Sequence, residues 1–340
     1  MSSATISLDV HGGDHGLAVS LPAAEQALRL DPHLNIVLVG NQQAIEASHP
    51  VAGEEFTGRL SVRHAADILP MDARPATVLR QGQNSSMWQA LELVSQGEAG
   101  ACVSGGSTAA LMSLGVRLIG TLPGIQRPAL MAHVPNTRGR TALLDLGANL
   151  NCSARQLVQF AVMAYVTAEV ADGIERPSVG LLNVGHEDGK GHEVIREAHQ
   201  QLKSLPLNYI GFIEGHDIFS GRADIAVCDG FVGNVALKSN EGMARMLQSE
   251  LRRTLASSCR SRAGAWLAGP AMRGMLARLD PSAHNGAPLL GLKGVLVKSH
   301  GGADCKALTR AILEAGREAR RGVPEKIGAS IRSFHLETEV

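Results

Sequence analysis

Six segments of the sequence combine glycine with polar side chains: DVHGGDHG (9–16), SGGSTAA (104–110), DLGANLN (145–151), NVGHEDGKG (183–191), DGFVGN (229–234) and KSHGG (298–302). Each follows a short apolar run, and a helical pattern follows the first five. Glycine admits positive φ and lets backbone come close to a ligand. A loop that opens a helix offers unpaired N–H groups at the positive end of the helix dipole, a setting suited to anions. One such loop is an ordinary turn. Several of them, beyond the carboxyl ends of strands in one sheet, describe a cleft for an anionic, phosphate-bearing ligand.

Three side chains in these loops stand out. Lys190 lies between two glycines, where an ammonium can stabilise an oxyanion or hold phosphate; the alternative is a solvated surface lysine. Asp229 and Asn234 flank DGFVGN, where they can orient a nucleophile or donate to a carbonyl. Asn234 also suits a helix N-cap, and the two roles are compatible. His11 and His15, and the group His186, Glu187, His192 and Glu193, lack the spacing of a known metal site, so no metal is expected. The P-loop pattern GxxxxGK[ST], the GxSxG elbow and HExxH are missing, and no GxGxxG follows the first strand. No cofactor is expected.

The elements that must position these loops are short and apolar. Runs 4–10, 35–40, 60–65, 101–104, 141–146, 179–184, 223–229 and 294–299 read as core strands. Helical periodicity covers 17–30, 84–97, 153–173 and the charged stretch 303–333. Alternating strands and helices predict a three-layer α/β/α fold with a mostly parallel sheet. No linker or repeat divides the chain, so 1–340 is read as one catalytic unit of two lobes, with 153–173 as a spine between them.

Composition narrows the classes further. With 44% apolar and 19% charged residues the chain is not disordered. Lys and Arg number 32, as do Asp and Glu, so a globally basic nucleic-acid binder is not expected. The five cysteines are scattered and form no CxxC, which suits a reducing compartment. No signal peptide and no 18-residue apolar run is visible, so a cytoplasmic protein is expected. One stretch departs from this balance. Residues 251–279 hold Arg252, Arg253, Arg260, Arg262, Arg273 and Arg278 with no acidic residue, interspersed with Trp266, Leu267 and methionines. Gly264, Gly269 and Pro270 are expected to break its helix. Such a segment suits an acidic carrier protein, an anionic lipid surface, or a solvated dimer-interface helix. Trp266 fits a core or interface anchor equally well.

The loops, in this order, resemble the bacterial phosphate acyltransferase family of phospholipid synthesis, the PlsX type. The likeness runs from about residue 4 to about residue 325 and rests on LDVHGGDHG, DARPATVLRQGQNSSMWQALELVSQGEAGACVSGG, LDLGANLNCSARQLVQFAVM, GLLNVGHEDGKG, CDGFVGNVALKSNEG and GLKGVLVKSHG. It implies a fold like that of phosphate acetyltransferases and isopropylmalate dehydrogenases, and a homodimer. It implies transfer of an acyl group from acyl carrier protein to orthophosphate, giving an acyl phosphate for an integral-membrane glycerol-3-phosphate acyltransferase. On that reading Lys190 and Asn234 polarise the carbonyl and hold phosphate, with Asp229 positioning Lys190 or the substrate. Gly12, Gly13, Asp14, Ser107, Thr108, Asn149 and His300 line the substrate site, and the basic helical tip, 251–279, faces carrier or membrane. The chain departs from the family where SGGSTAA replaces the usual SAGNTGA, and where His186 replaces a carboxylate. These changes leave room for two alternatives, a membrane-surface scaffold that binds carrier without turnover and an enzyme using acyl-coenzyme A.

Overall fold

The computed structural model describes residues 3–48, 54–278 and 285–336. Within them eleven strands form one sheet: β1 (Ala4–Asp9), β2 (Leu34–Gly40), β3 (Leu60–His64), β4 (Ala101–Ser104), β5 (Ala129–Asn136), β6 (Gly139–Leu144), β7 (Val179–Leu182), β8 (Tyr209–Ile213), β9 (Ile225–Val227), β10 (Ala287–Leu290) and β11 (Val295–Lys298). The helices are α1 (Leu17–Leu30), α2 (Gln42–Ser48), α3 (Pro75–Gln81), α4 (Ser86–Ser95), α5 (Thr108–Leu118), α6 (Ala154–Thr167), α7 (Glu193–Lys203), α8 (Asp217–Ser220), α9 (Gly230–Ala256), α10 (Cys259–Arg278), α11 (Cys305–Arg321) and α12 (Val323–Ser333).

The strand order is β3-β2-β1-β4-β11-β10-β5-β6-β9-β7-β8. Strands β3, β2, β1, β4 and β11 are mutually parallel, as are β6, β9, β7 and β8. The junctions β11/β10, β10/β5 and β5/β6 are antiparallel, so the two parallel blocks run in opposite senses.

Side chains alternate faces along every strand. Cys102, Leu143, Leu182, Ala226, Leu289 and Leu296 point to one face, where a single core crosses both blocks beneath α4 and α5. Their neighbours point to the other face, where the core is split. Ile6, Leu8, Val103 and Val297 pack under α1 and α11; Ala142, Leu144, Leu181 and Val227 pack under α6, α7 and α12. The three-layer, mostly parallel expectation is met.

Details differ from the reading of the sequence. Strands β5, β8 and β10 were not foreseen. The run 223–229 shortens to β9 because Asp229 leaves the sheet to cap α9. The helix expected over 153–173 is α6 followed by a π-helical turn, Ala168–Asp172. Gly322, at φ +61°, divides 303–333 into α11 and α12. The expected break at Gly264, Gly269 and Pro270 does not occur: α10 passes through Pro270 and packs back on α9. Its exposed faces give the proline ring room, at the cost of one helix hydrogen bond. No helix among the described residues is long and apolar enough to cross a membrane.

Candidate active site

The glycine turns gather in two clusters. The first joins the turns after β1, β4 and β11, and its organiser is Asp9. This buried carboxylate accepts Ser86 Oγ at 2.6 Å on Oδ1 and Ser104 Oγ at 2.7 Å on Oδ2. The turns touch so closely that side chains are excluded: a Cβ on Gly12 would lie 2.9 Å from the amide nitrogens of Gly105 and Gly106, and one on Gly13 2.7 Å from Gly301 O. Gly13 also needs φ +91°, which only glycine adopts cheaply. Asp14 N donates to Gly301 O at 2.8 Å, so that backbone bond ties the first and last turns. His300 is exposed, its Nδ1 accepting from Gly302 N at 3.1 Å. Ser107 precedes Thr108 at the start of α5, and its hydroxyl makes no capping bond.

The second cluster joins the turns after β6 and β9, and again a strand-end aspartate organises it. Asp145 is fully buried and accepts N–H bonds from Leu130, Leu146, Ala148 and Asn149, and from Asn149 Nδ2. Burial nevertheless dominates and raises its pKa. Gly230 N donates to Asn149 O at 2.8 Å, and a Cβ on Gly233 would collide with the Asp145 carbonyl oxygen. The first turn of α9 is thereby pressed onto turn 145–149. Asp229 is the N-cap of α9, its Oδ1 accepting from Val232 N at 2.9 Å, so the cap is Asp229 and not Asn234. Asn234 is exposed and faces Gly147.

Helix α9 connects the clusters. Two turns beyond its start, Lys238 lies near enough to Lys298 of β11 for its charge to act there. The loop 183–191 stands at the other side of α9. Lys190 is exposed in it, and Asn183 Nδ2 donates to Lys190 O at 3.3 Å. Among the described residues no hydrogen bond joins Lys190 to Asp229 or Asn234. His186 is anchored through Nδ1 to Phe212 O at 3.0 Å, and its Nε2 faces Arg222, Glu214 and Asp217. It therefore braces the loop against the end of β8.

Between this loop, α8 and α9 opens a cleft of about 1000 Å³. Leu182, Ile195, Ile218, Phe219, Val232, Val235 and Met243 line it, with Asn183 and Asp229 among its few polar groups. Cys228 also lines it, and Cys152 lies near the second cluster. Burial pushes the Cys152 thiol up to about 12 and the Cys228 thiol well above its ordinary value, so neither is a ready thiolate.

The sequence had singled out neither Asp9 and Asp145 nor Lys298. The two aspartates share a legible signal, an acidic residue at the end of an apolar run with glycine two or three residues on. For Lys298 no such signal exists, because only the fold buries it.

A sheet of two parallel blocks, with glycine turns gathered beyond its strand ends and an apolar cleft along α9, defines the class. The same fold occurs in a phosphotransacetylase from Streptococcus pyogenes (TM-score 0.64, 19% identity, 94% of each chain covered) and in the EutD phosphotransacetylase from Staphylococcus aureus (TM-score 0.60, 15% identity, 93% of this chain and 94% of that one). It is also shared, more distantly, with 4-hydroxythreonine-4-phosphate dehydrogenase from Klebsiella pneumoniae (TM-score 0.51, 14% identity, 94% and 98% covered). Residues 4–326 match the family model described as fatty acid synthesis protein, and the chain belongs to that family of enzymes. Relatives named phosphate acyltransferase include those of Halorhodospira halophila, 48% identical over 97% of this chain and 96% of that one, and Alkalilimnicola ehrlichii, 47% identical over 98% and 97%.

Proposed function

We propose that this enzyme transfers a fatty acyl group from acyl carrier protein to orthophosphate, releasing acyl phosphate for phospholipid synthesis. The supporting observation is an apolar cleft of about 1000 Å³, enough for an acyl chain, lined in part by Asp229 where a glycine turn opens α9. Orthophosphate is already an anionic nucleophile, so the enzyme's task is to align it with the thioester and stabilise the tetrahedral oxyanion. A phosphate oxygen bonds to the carbonyl carbon, the C–S bond breaks, and the departing thiolate takes a proton. Lys190 and Asn234 polarise the carbonyl. Asp229 fixes the start of α9 and so sets Asn234. Gly12, Gly13, Asp14, Ser107, Thr108, Asn149 and His300 surround the substrates. The raised cysteine pKa values support direct transfer, with no acyl-cysteine intermediate.

The chain acts as a homodimer in the cytoplasm and meets an anionic surface through the exposed basic hairpin. Its product passes to an integral-membrane glycerol-3-phosphate acyltransferase. Arg252, Arg253, Arg260, Arg262 and Trp266 are exposed there, and Trp266 is 80% accessible, which excludes it from the core of the chain. The side chain of Arg273 and all of residue 279 lie outside the described residues.

The test is mass spectrometry of the products from acyl carrier protein with and without orthophosphate. Acyl phosphate and free carrier thiol are expected only when phosphate is present. Thiol release without phosphate, or carrier binding without turnover, would overturn this reading; equal rates with acyl-coenzyme A would remove the carrier from it.

A further inference from the structure

Lysine is among the residues least often buried, yet Lys298 retains only 9% of its surface. Its Nζ donates to Gly105 O at 3.2 Å and to Ser299 O. One ammonium thus fastens the turn after β4 to the end of β11, where both meet the turn after β1. Among the described residues no third acceptor is bonded to it, although an ammonium has three donors.

The charged groups facing it come from three elements. Asp9 of β1 and Asp14 of the following turn favour the ammonium, and Lys238 of α9 opposes it. Burial opposes it most and pushes its pKa down to about 8. Among the described residues no ion pair joins Asp9 or Asp14 to Lys298, and each Asp9 carboxylate oxygen already accepts a serine hydroxyl. A buried cation with a spare donor is costly unless a partner anion arrives. Around it the turns pack closely: a Cβ on Gly12 would lie 2.9 Å from the amide nitrogens of Gly105 and Gly106, and Gly106 N donates to Ser104 Oγ at 3.1 Å. The apolar cleft lies on the other side of α9, by β7 and β9.

We infer that Lys298 is the residue that holds orthophosphate, its remaining N–H on a phosphate oxygen where the turns after β1, β4 and β11 meet. This rests on the proposed reaction and assigns its two substrates to separate places: phosphate at the first cluster, acyl chain in the cleft beyond α9.

The experiment titrates inorganic phosphate and sulfate by calorimetry into the wild-type chain and into Lys298→Met, which keeps the side chain's length and loses its charge. Affinity for both anions should fall about 10- to 100-fold in the variant. Sulfate carries a fixed charge in the working range, so its affinity for the wild type should fall as pH rises through about 8, while the variant stays flat. In turnover the KM for phosphate should rise by the same factor and the KM for the acyl donor should not move. Wild-type chain that binds neither anion, a variant within about 3-fold of it, or a pH-flat wild type overturns the assignment. Should Lys298→Met fail to fold, the wild-type pH series decides alone. Anion binding that depends on Lys298 without thiol release upholds the inference and removes the proposed reaction.

Discussion

At the scale of single residues, two buried aspartates hold the turns of the candidate site together. Asp9 and Asp145 each end a strand and spend their oxygens on hydroxyls or amides of neighbouring turns. On the proposed reading, chemistry is left to the buried Lys298 and to exposed groups on the turns. Lys190→Ala removes a solvent-facing side chain, so its thermal unfolding should match the wild type. Its kcat should fall about 100-fold if the ammonium stabilises the oxyanion. Stopped assays of carrier-thiol release give the rate, and an unchanged kcat takes Lys190 out of the mechanism. Residue types at turns were readable because glycine beside a polar group has few other uses. Lys298 was not, since a lysine after Val-Leu-Val looks like a strand end entering solvent. His186 was read as the replacement of a carboxylate, and its tie to Phe212 O depends on a strand, β8, that the sequence did not disclose.

At the scale of elements, legibility followed burial. Strands covered on both faces, such as β1, β4 and β9, are continuous apolar runs and stood out. Strand β5 carries His133, Pro135 and Asn136, β8 holds a glycine, and β10 begins Ala-Pro; each takes its place from its neighbours' hydrogen bonds. The hairpin of α9 and α10 was legible as a basic tip but not as unbroken helix. Arg260 and Arg262 are exposed near its turn. Changing both to glutamate should reduce sedimentation with anionic-lipid vesicles about tenfold at low salt, and added salt should weaken the wild type towards the variant. Turnover with soluble carrier should stay within about twofold, as for other exposed substitutions. A large rise in carrier KM instead assigns those cations to the carrier protein.

At the scale of the whole molecule, the seam between the blocks is held by charge as well as by sheet. Behind it lies a groove of about 700 Å³ lined by Arg140, Arg310, Arg317, Arg320 and Arg321. Asp172, 2% exposed, pairs there with Arg140 at 2.5 Å and His133 at 3.1 Å, and Arg317 of α11 is 3.8 Å away. Burial alone would raise this carboxyl, but His133, Arg140 and Arg317 together hold it below its ordinary value. A carboxyl so depressed stabilises the folded chain above its unfolded pKa near 3.8, and that contribution fades as pH falls through the lower folded value. Asp172→Asn should therefore cost about 3 kcal/mol near neutral pH, read by chemical denaturation, with the difference from wild type shrinking towards acid. The wild type should unfold in one transition, because one apolar core runs under both blocks.

The length of α9 sets a limit on geometry. Nineteen residues separate Asn234 from Arg253, about 28 Å of helix. A pantetheine tether of some fifteen bonds stretches to roughly 18 Å. A tether attached at Arg253, Arg260 and Arg262 would leave its thioester short of the same chain's proposed reaction centre at Asn234. On the proposed reading, delivery of cargo and mooring to a charged surface belong to opposite ends of one rod, and both can proceed at once.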